Sequence, residues 1–230
     1  MENDVIPDAD VFADLIRYDS ATISNAIETF GVRPRTDGFA DSTIRCLYPD
    51  LAPIAGRAVT CRFENGPDTK SKPNLLPELF DIIHAMDEPV VVVCGHIGPD
   101  PARSCVVGDL MAAMLQRLGA VGLVTDCGAR DLDVVRRRAP GFQVFARGTV
   151  ASHGNGTVVE VGEVVTIGGL TVSTGDIVHG DHNGVVSVPE RIAVSVPAAA
   201  QRVLDAEDTL QRRVHATRFD YEDLRKVFTH

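Results

Sequence analysis

The sequence predicts an α/β fold in a single domain, and three stretches carry that expectation. Residues 108–131, GDLMAAMLQRLGAVGLVTDCGARD, read as one helix followed by one buried strand. Residues 89–94, PVVVVC, form a short β-branched run of the kind that fills a parallel sheet covered on both faces. Beyond Gly148 the pattern changes to short apolar strands divided by glycine turns.

Taken in order, residues 8–30 read as two helices. The first spans 8–18. The second starts at Asp19-Ser20-Ala21-Thr22, with Ser20 or Thr22 as its cap and Ile23, Ala26, Ile27 and Phe30 on one face. Residues 31–53 are rich in turn formers and hold little periodicity, as a stretch wrapping a neighbouring surface would. A strand by alternation occupies 58–63, after a turn at Gly56. The connection NGPDTKSKPNLLP at 65–77 contains three prolines and is too irregular for a core element; it reads as a mobile loop or a subunit contact. A short helix at 79–86 leads into the 89–94 strand, whose exit, GHIGPDPARSCVVGD, would wall a pocket.

In the central unit, Leu110, Met111, Met114, Leu115 and Leu118 recur at helical spacing, Gly119 stops the helix, and residues 121–125 form the strand. Residues 132–138 make a helix whose basic end suits its dipole, and 142–145 another strand. Runs at 158–165, 170–172, 176–179 and 185–188 form an antiparallel set, with an asparagine–glycine hairpin signal at Asn183-Gly184. A charged helix begins at Pro197, and a short segment covers 221–228; such an arm is a packing or oligomer element. The domain thus divides into an N-terminal helical arm (1–55), a core (56–190) and a C-terminal helical arm (191–230).

Composition limits the function. The chain has 230 residues, 44% of them apolar, enough for one sizeable core. A net charge of −10 argues against nucleic acid or an anionic membrane as the main partner, since both call for a basic footprint. The opening MENDVIPDADVF has no basic start or apolar core, and no run is long enough to span a bilayer, so a cytoplasmic protein is expected. Cys46, Cys61, Cys94, Cys105 and Cys127 are odd in number and lack a CxxC pair, as reduced thiols do.

The central unit also suggests a site. A helix of about ten residues runs ~15 Å one way, and a strand of about six returns ~17–20 Å. Asp109, at the helix start, therefore meets Arg130 and Asp131, just past the strand, at the sheet edge where α/β folds bind ligands. A helix N-terminus offers amides to an anion, Arg130 a planar fork for a carboxylate, and Asp131 oxygens to a hard divalent cation. Together they suit a small acid beside a metal. From spacing alone, the plain alternative is that Asp109 is an N-cap and Arg130–Asp131 a solvated loop pair. His96, in the pocket-wall loop, reads as a loop histidine or a proton-transfer group. Cys127 reads as a bystander near the site. His179 and His182, with Asp176 and Asp181, invite a metal reading, but adjacent strand and turn positions diverge.

Asp109, twenty intervening residues, then Arg130-Asp131 resembles the D-x20-R-D signature of the 4-hydroxy-4-methyl-2-oxoglutarate/4-carboxy-4-hydroxy-2-oxoadipate aldolases and regulators of ribonuclease E activity. VFARGTV, IGGLTV, STGDIV and DHNGVVSVP follow in the family's order through most of residues 20–190. One departure is Asn25, which stands where the family's N-terminal helix usually carries an acid.

The resemblance implies a β/β/α layered fold similar to the swivelling phosphohistidine domains. It implies a divalent-metal-dependent (class II type) aldolase that cleaves a 4-hydroxy-2-oxo acid to pyruvate and a second oxo compound and also decarboxylates oxaloacetate. Asp131 would bind Mg²⁺ (or Mn²⁺), and Arg130 would hold a carboxylate or enolate oxygen. The amides of Gly108, Asp109, Leu110 and Met111 would receive the substrate carboxylate, and Asp109 would orient a water on the ion that carries the 4-hydroxyl proton. A homotrimer or homohexamer is implied, with an acid from a neighbouring C-terminal arm, such as Glu207 or Asp208, reaching the pocket. The alternative within the family is a protein-binding regulator of ribonuclease; those members lack the second acid of Arg-Asp, which Asp131 supplies here. The family's older label, demethylmenaquinone methyltransferase, finds no matching methyl-donor loop after an early strand.

Overall fold

A computed structural model describes residues 9–66, 72–217 and 219–227. Asp8, the centre of the polar connection (67–71) and Phe228 lie outside the described residues. The elements are α1 (Ala9–Leu15), α2 (Ser20–Glu28), β1 (Arg45–Cys46), β2 (Ile54–Glu64), α3 (Leu76–His84), β3 (Val90–Ile97), β4 (Cys105–Val107), α4 (Asp109–Arg117), β5 (Ala120–Thr125), β6 (Gly128–Ala129), α5 (Leu132–Arg138), β7 (Gln143–Ala146), β8 (Thr157–Val161), β9 (Val165–Ile167), β10 (Leu170–Val172), β11 (Ile177–Asp181), β12 (Gly184–Val188), α6 (Val196–Val214) and α7 (Tyr221–Val227).

One mixed sheet runs β1-β7-β5-β3-β2-β11-β12, and β8 also pairs with β2. β2, β3, β5 and β7 are parallel neighbours. The 11-residue β2 organises the rest. One edge lies along β3, while the other is divided, its first part pairing with β11 and its last part with β8. The expected antiparallel set therefore does not stand apart. β8, β11 and β12 extend the main sheet, and β9–β10 alone form a separate hairpin.

Alternation along the strands sorts the core into layers. Val59, Cys61, Phe63, Val92, Cys94 and Leu123 face α3, α4 and α5. Ala58, Val91, Val93, Val124 and Phe145 face the β9–β10 hairpin. The order is hairpin, sheet, helices, which is the expected β/β/α layering. The two helical arms pack on each other: α1, α2 and α6 bury Phe12, Ile23, Ile27, Val196 and Ala199 against Ile177, Val186 and Val188.

Several local expectations are corrected. α2 is capped by Asp19, whose carboxylate accepts from the Thr22 amide at 2.7 Å, and not by Ser20 or Thr22. Ser20 instead gives its amide (2.9 Å) and hydroxyl (2.6 Å) to the buried Asp181. Gly56 lies inside β2 rather than in a preceding turn, because a side chain there would run into the Pro89 carbonyl. α3 begins at Leu76, with Pro77 in its first turn, where a missing amide is no loss. The turn-rich 31–53 stretch supplies β1, and Gln143, wholly buried, holds it by donating to the Tyr48 carbonyl at 3.2 Å.

His179 in β11 is fully buried, with Nε2 3.1 Å from the Tyr18 carbonyl and Nδ1 without a partner among the described residues. Burial pushes its pKa below 6.5, against an opposing pull from Asp181 and the Tyr18 carbonyl. The unfolded chain thus takes up a proton below about pH 6.5 that the folded chain resists, so this contribution is complete above pH 6.5 and declines as pH falls. Thermal unfolding followed from pH 7 to 5 should show a falling melting temperature that His179→Gln flattens; an unchanged slope would rule out this linkage.

Candidate functional site

The site lies where β3 and β5 end. β3 exits through a single 3₁₀ turn (Pro101–Arg103) into β4, and β5 exits into β6. These two short strands pair in parallel, Cys105 opposite Gly128 and Val107 opposite Ala129, and the Arg130 amide donates to the Val107 carbonyl at 3.0 Å. The pair draws two loops together and sets the start of α4 beside Arg130 and Asp131.

Gly108, not Asp109, is the N-cap of α4, and it makes no side-chain capping bond. Its missing side chain matters for another reason. A Cβ there would stand 3.1 Å from Arg130 Nε and 3.1 Å from Asp131 Oδ2, so the glycine leaves the floor on which that pair rests. Gly108→Ala should push Arg130 and Asp131 back by a few tenths of an ångström and weaken by about tenfold, ~1.4 kcal/mol, the binding of an anion held by that pair; an affinity within twofold of wild type would show that the pair tolerates the shift.

Asp131 is the sole non-glycine residue with positive φ among those described (φ 58°, ψ 33°). It occupies the N-cap position of α5 yet makes no side-chain cap. Its backbone carbonyl takes the Val134 and Val135 amides (both 2.8 Å), while its carboxylate turns to Arg130 Nε at 3.3 Å. Left-handed non-glycine residues concentrate at functional sites, and aspartate is among the residues that tolerate them. Asp109, the first residue of α4, is ion-paired with Arg138 from the last turn of α5. Sequence alone does not mark Arg138, because only the packing of α4 on α5 brings it near.

A cleft of about 240 Å³ opens here. Gly108, Asp109, Leu110, Met111 and Arg130 line it, joined by Phe63, Val106, Met114 and His153. Asp131 stands beside this wall, at Arg130. Leu110 is 66% exposed at the rim. Nothing in the sequence marks Phe63, Met114 or His153 as site residues: Phe63 falls in the 58–63 strand, Met114 on the apolar face of the central helix, and His153 in the polar stretch after Gly148.

Other candidates have structural partners. His96 Nε2 lies 2.8 Å from the Ser104 hydroxyl, and its amide donates to Asp126 at 2.8 Å, which ties down the loop after β3. Burial pushes the Cys127 thiol up to about 12, leaving it without thiolate character. Asp181 is engaged by Ser20 and Asn183, and His179 by Tyr18. Glu207 and Asp208 are exposed on α6.

No group of three His, Cys, Asp or Glu suited to a metal occurs among the described residues. The donors at the cleft nevertheless fit a hard cation of the Mg²⁺ type, which takes one or two carboxylates and completes its octahedron with water and substrate oxygens. Asp131 offers a part-exposed carboxylate with open access, and the glycine floor beneath it is unfilled.

A profile of the RraA-like family, described as Aldolase/RraA, matches residues 20–187. A protein of Pseudomonas paraeruginosa, provisionally named 4-hydroxy-4-methyl-2-oxoglutarate aldolase, is 30% identical over 95 residues, covering 41% of this chain and 58% of its own length. The chain thus spans little more than half of that relative. Among solved structures, an uncharacterized protein of Pseudomonas syringae pv. tomato superposes with a TM-score of 0.73 at 23% identity over 99% of both chains. RraAS2 of Streptomyces coelicolor, titled an unusual member of the RNase ES inhibitor RraA protein family, gives 0.71 at 23% identity over 90% of this chain and 98% of its own. These two likenesses concern the fold. Among the described residues, no helix is long and apolar enough to cross a membrane.

Proposed function

We propose an activity from one premise: this chain belongs to the RraA-like family, Aldolase/RraA. The reading is a divalent-metal-dependent aldolase that cleaves a 4-hydroxy-2-oxo acid to pyruvate and a second oxo compound, with oxaloacetate decarboxylation as a side activity. The observation that carries it is Asp131, held left-handed with its carboxylate off the helix cap and against Arg130 above the Gly108 floor.

Asp131 would hold Mg²⁺ or Mn²⁺, which when bound polarises a 2-oxo carbonyl as a Lewis acid. The substrate carboxylate would lie against the first-turn amides of α4, which have no helical acceptor. Arg130 would place its guanidinium where negative charge gathers on the 2-oxo oxygen as the C3–C4 bond breaks. Asp109, aimed by its ion pair with Arg138, would draw off the 4-hydroxyl proton directly or through one water. The C3–C4 electron pair passes into the 2-oxo group, C4 leaves as a carbonyl, and C3 then takes a proton to give pyruvate. In this reading the protein works in the cytoplasm as a homotrimer or homohexamer, which sedimentation would distinguish from a monomer.

The test is pyruvate formation from oxaloacetate and from 4-hydroxy-4-methyl-2-oxoglutarate before and after chelation. Turnover should vanish with chelator and return with Mg²⁺. Turnover indifferent to chelator would overturn the metal requirement. Absent turnover together with capture of ribonuclease E in a pull-down would replace the aldolase by the regulator.

A further inference from the structure

The charged cleft has a neighbour that shares Met111 with it. A second cavity, of about 70 Å³, adjoins it, and the two share Phe63, Val106, Met111 and Gly156 as common walls. Gly156 is required there, because the Phe63 ring occupies the place a side chain would take. Beyond those walls the lining is mostly apolar, with Leu79, Val92, Leu115 and Leu123 among it and Asn74 at one side, and no charged residue contributes among the described residues. Thr157 also lines it, and its buried hydroxyl has no partner among the described residues.

Charge is distributed just as unevenly. Among the described lining residues, Arg130 is the one permanent cation of the cleft. Arg138 is committed to Asp109, and Lys72, in the connection before α3, to Glu64 at the end of β2. One carboxylate can therefore be matched by a guanidinium, and a second one pushed toward the apolar cavity would lose its water without a counter-charge. An apolar group entering the same space would gain by burial and fill a void.

We propose that this cavity receives the end of the substrate remote from its 2-oxo acid head, and that this end is apolar. The substrate class is then a singly charged 4-hydroxy-2-oxo acid with an alkyl or aryl group on C4, cleaved to pyruvate and an apolar aldehyde or ketone, rather than an acid with a second carboxylate. The inference rests on the aldolase reading above and adds the identity of the distal group.

The two can fail separately. Metal-dependent pyruvate formation from oxaloacetate, too short to reach the cavity, tests the aldolase reading alone. The distal group is tested by calorimetric binding in the presence of Mg²⁺ of 2-oxohexanoate against 2-oxoglutarate, which share a head and differ in their ends. Binding of 2-oxohexanoate should be at least about tenfold tighter, as two or so buried methylenes predict. Val92→Leu, which adds bulk to the cavity, should narrow that ratio, and Thr157→Val, which removes the orphan hydroxyl, should widen it. Equal binding of the two acids, or tighter binding of 2-oxoglutarate, overturns the proposal whatever the turnover assay shows. A ratio unmoved by both variants overturns the placement of the distal group. In the synthetic direction, pyruvate should condense with butanal at least about tenfold faster than with glyoxylate at equal concentration; the reverse order overturns the assignment of substrate class.

Discussion

Asp131→Asn should lower pyruvate formation from oxaloacetate by at least about a hundredfold, more than the loss expected for an outer-shell partner of a metal ligand, while the protein stays folded. The choice of asparagine follows from the backbone. At φ 58° most side chains are strained, whereas asparagine, like aspartate, enters the left-handed region readily. Because the carboxylate caps no helix amide, its replacement by an amide leaves α5 undisturbed. The change in unfolding free energy should stay within about 0.5 kcal/mol. Asp131→Gly makes a second probe, since glycine takes this conformation without steric strain. Both variants should be folded and inactive, with Mg²⁺ affinity reduced in titration calorimetry. Activity within tenfold of wild type in either variant would remove Asp131 from the ion-binding role and with it the proposed mechanism.

The second large effect is on stability. Asp181 is 1% exposed and accepts from the Ser20 amide, the Ser20 hydroxyl and the Asn183 amide, at 2.9, 2.6 and 2.8 Å. It joins the N-terminus of α2 to the β11–β12 hairpin, the seam between the helical arms and the sheet. Asp181→Ala would strand the two buried Ser20 donors at once, at about 1–3 kcal/mol each when no water replaces the partner, while the Asn183 amide lies near the surface. A net loss of about 3 kcal/mol is expected, equivalent to a fall of about 6–12 °C in melting temperature for a chain of this size. Ser20→Ala should cause a smaller loss, and the double variant less than the sum of the two, since one network is removed twice. A fall under about 2 °C for Asp181→Ala would mean that the seam is held by apolar packing alone.

Asp181 also has a pH signature. Burial pushes its pKa up, but the bonds from Ser20 and Asn183 and the nearby His179 outweigh that and hold its carboxyl below 3.8. Its contribution is therefore complete above about pH 4 and is lost as pH falls through the lower folded value. The acid limb of Asp181→Asn should be flatter than that of wild type below pH 4, well separated from the His179 limb, which begins near pH 6.5.

Much of this protein was legible in its sequence by itself. Periodicity located the helix from 132 to 138 to the residue, the buried valine strand and the glycine-separated strands after Gly148. The order of helix and strand in the central unit was enough to expect Asp109 near Arg130 and Asp131. These are local properties: a helical face, an alternation or a turn residue is written in neighbouring positions. The tertiary structure decided what depends on contact between distant ones. Gly56 reads as a turn until the Pro89 carbonyl is seen to need its space. Cys105-Val106-Val107 is unremarkable as a run of three until β6 pairs with it. Arg138 looks like a helix-dipole residue until α5 turns it onto Asp109. Phe63 reads as core and His153 as loop, and both face one cleft only because β2 and the segment before β8 converge beside α4. Pairing between strands and packing between helices are set by which surfaces fill space together, and no window of neighbouring residues contains that information.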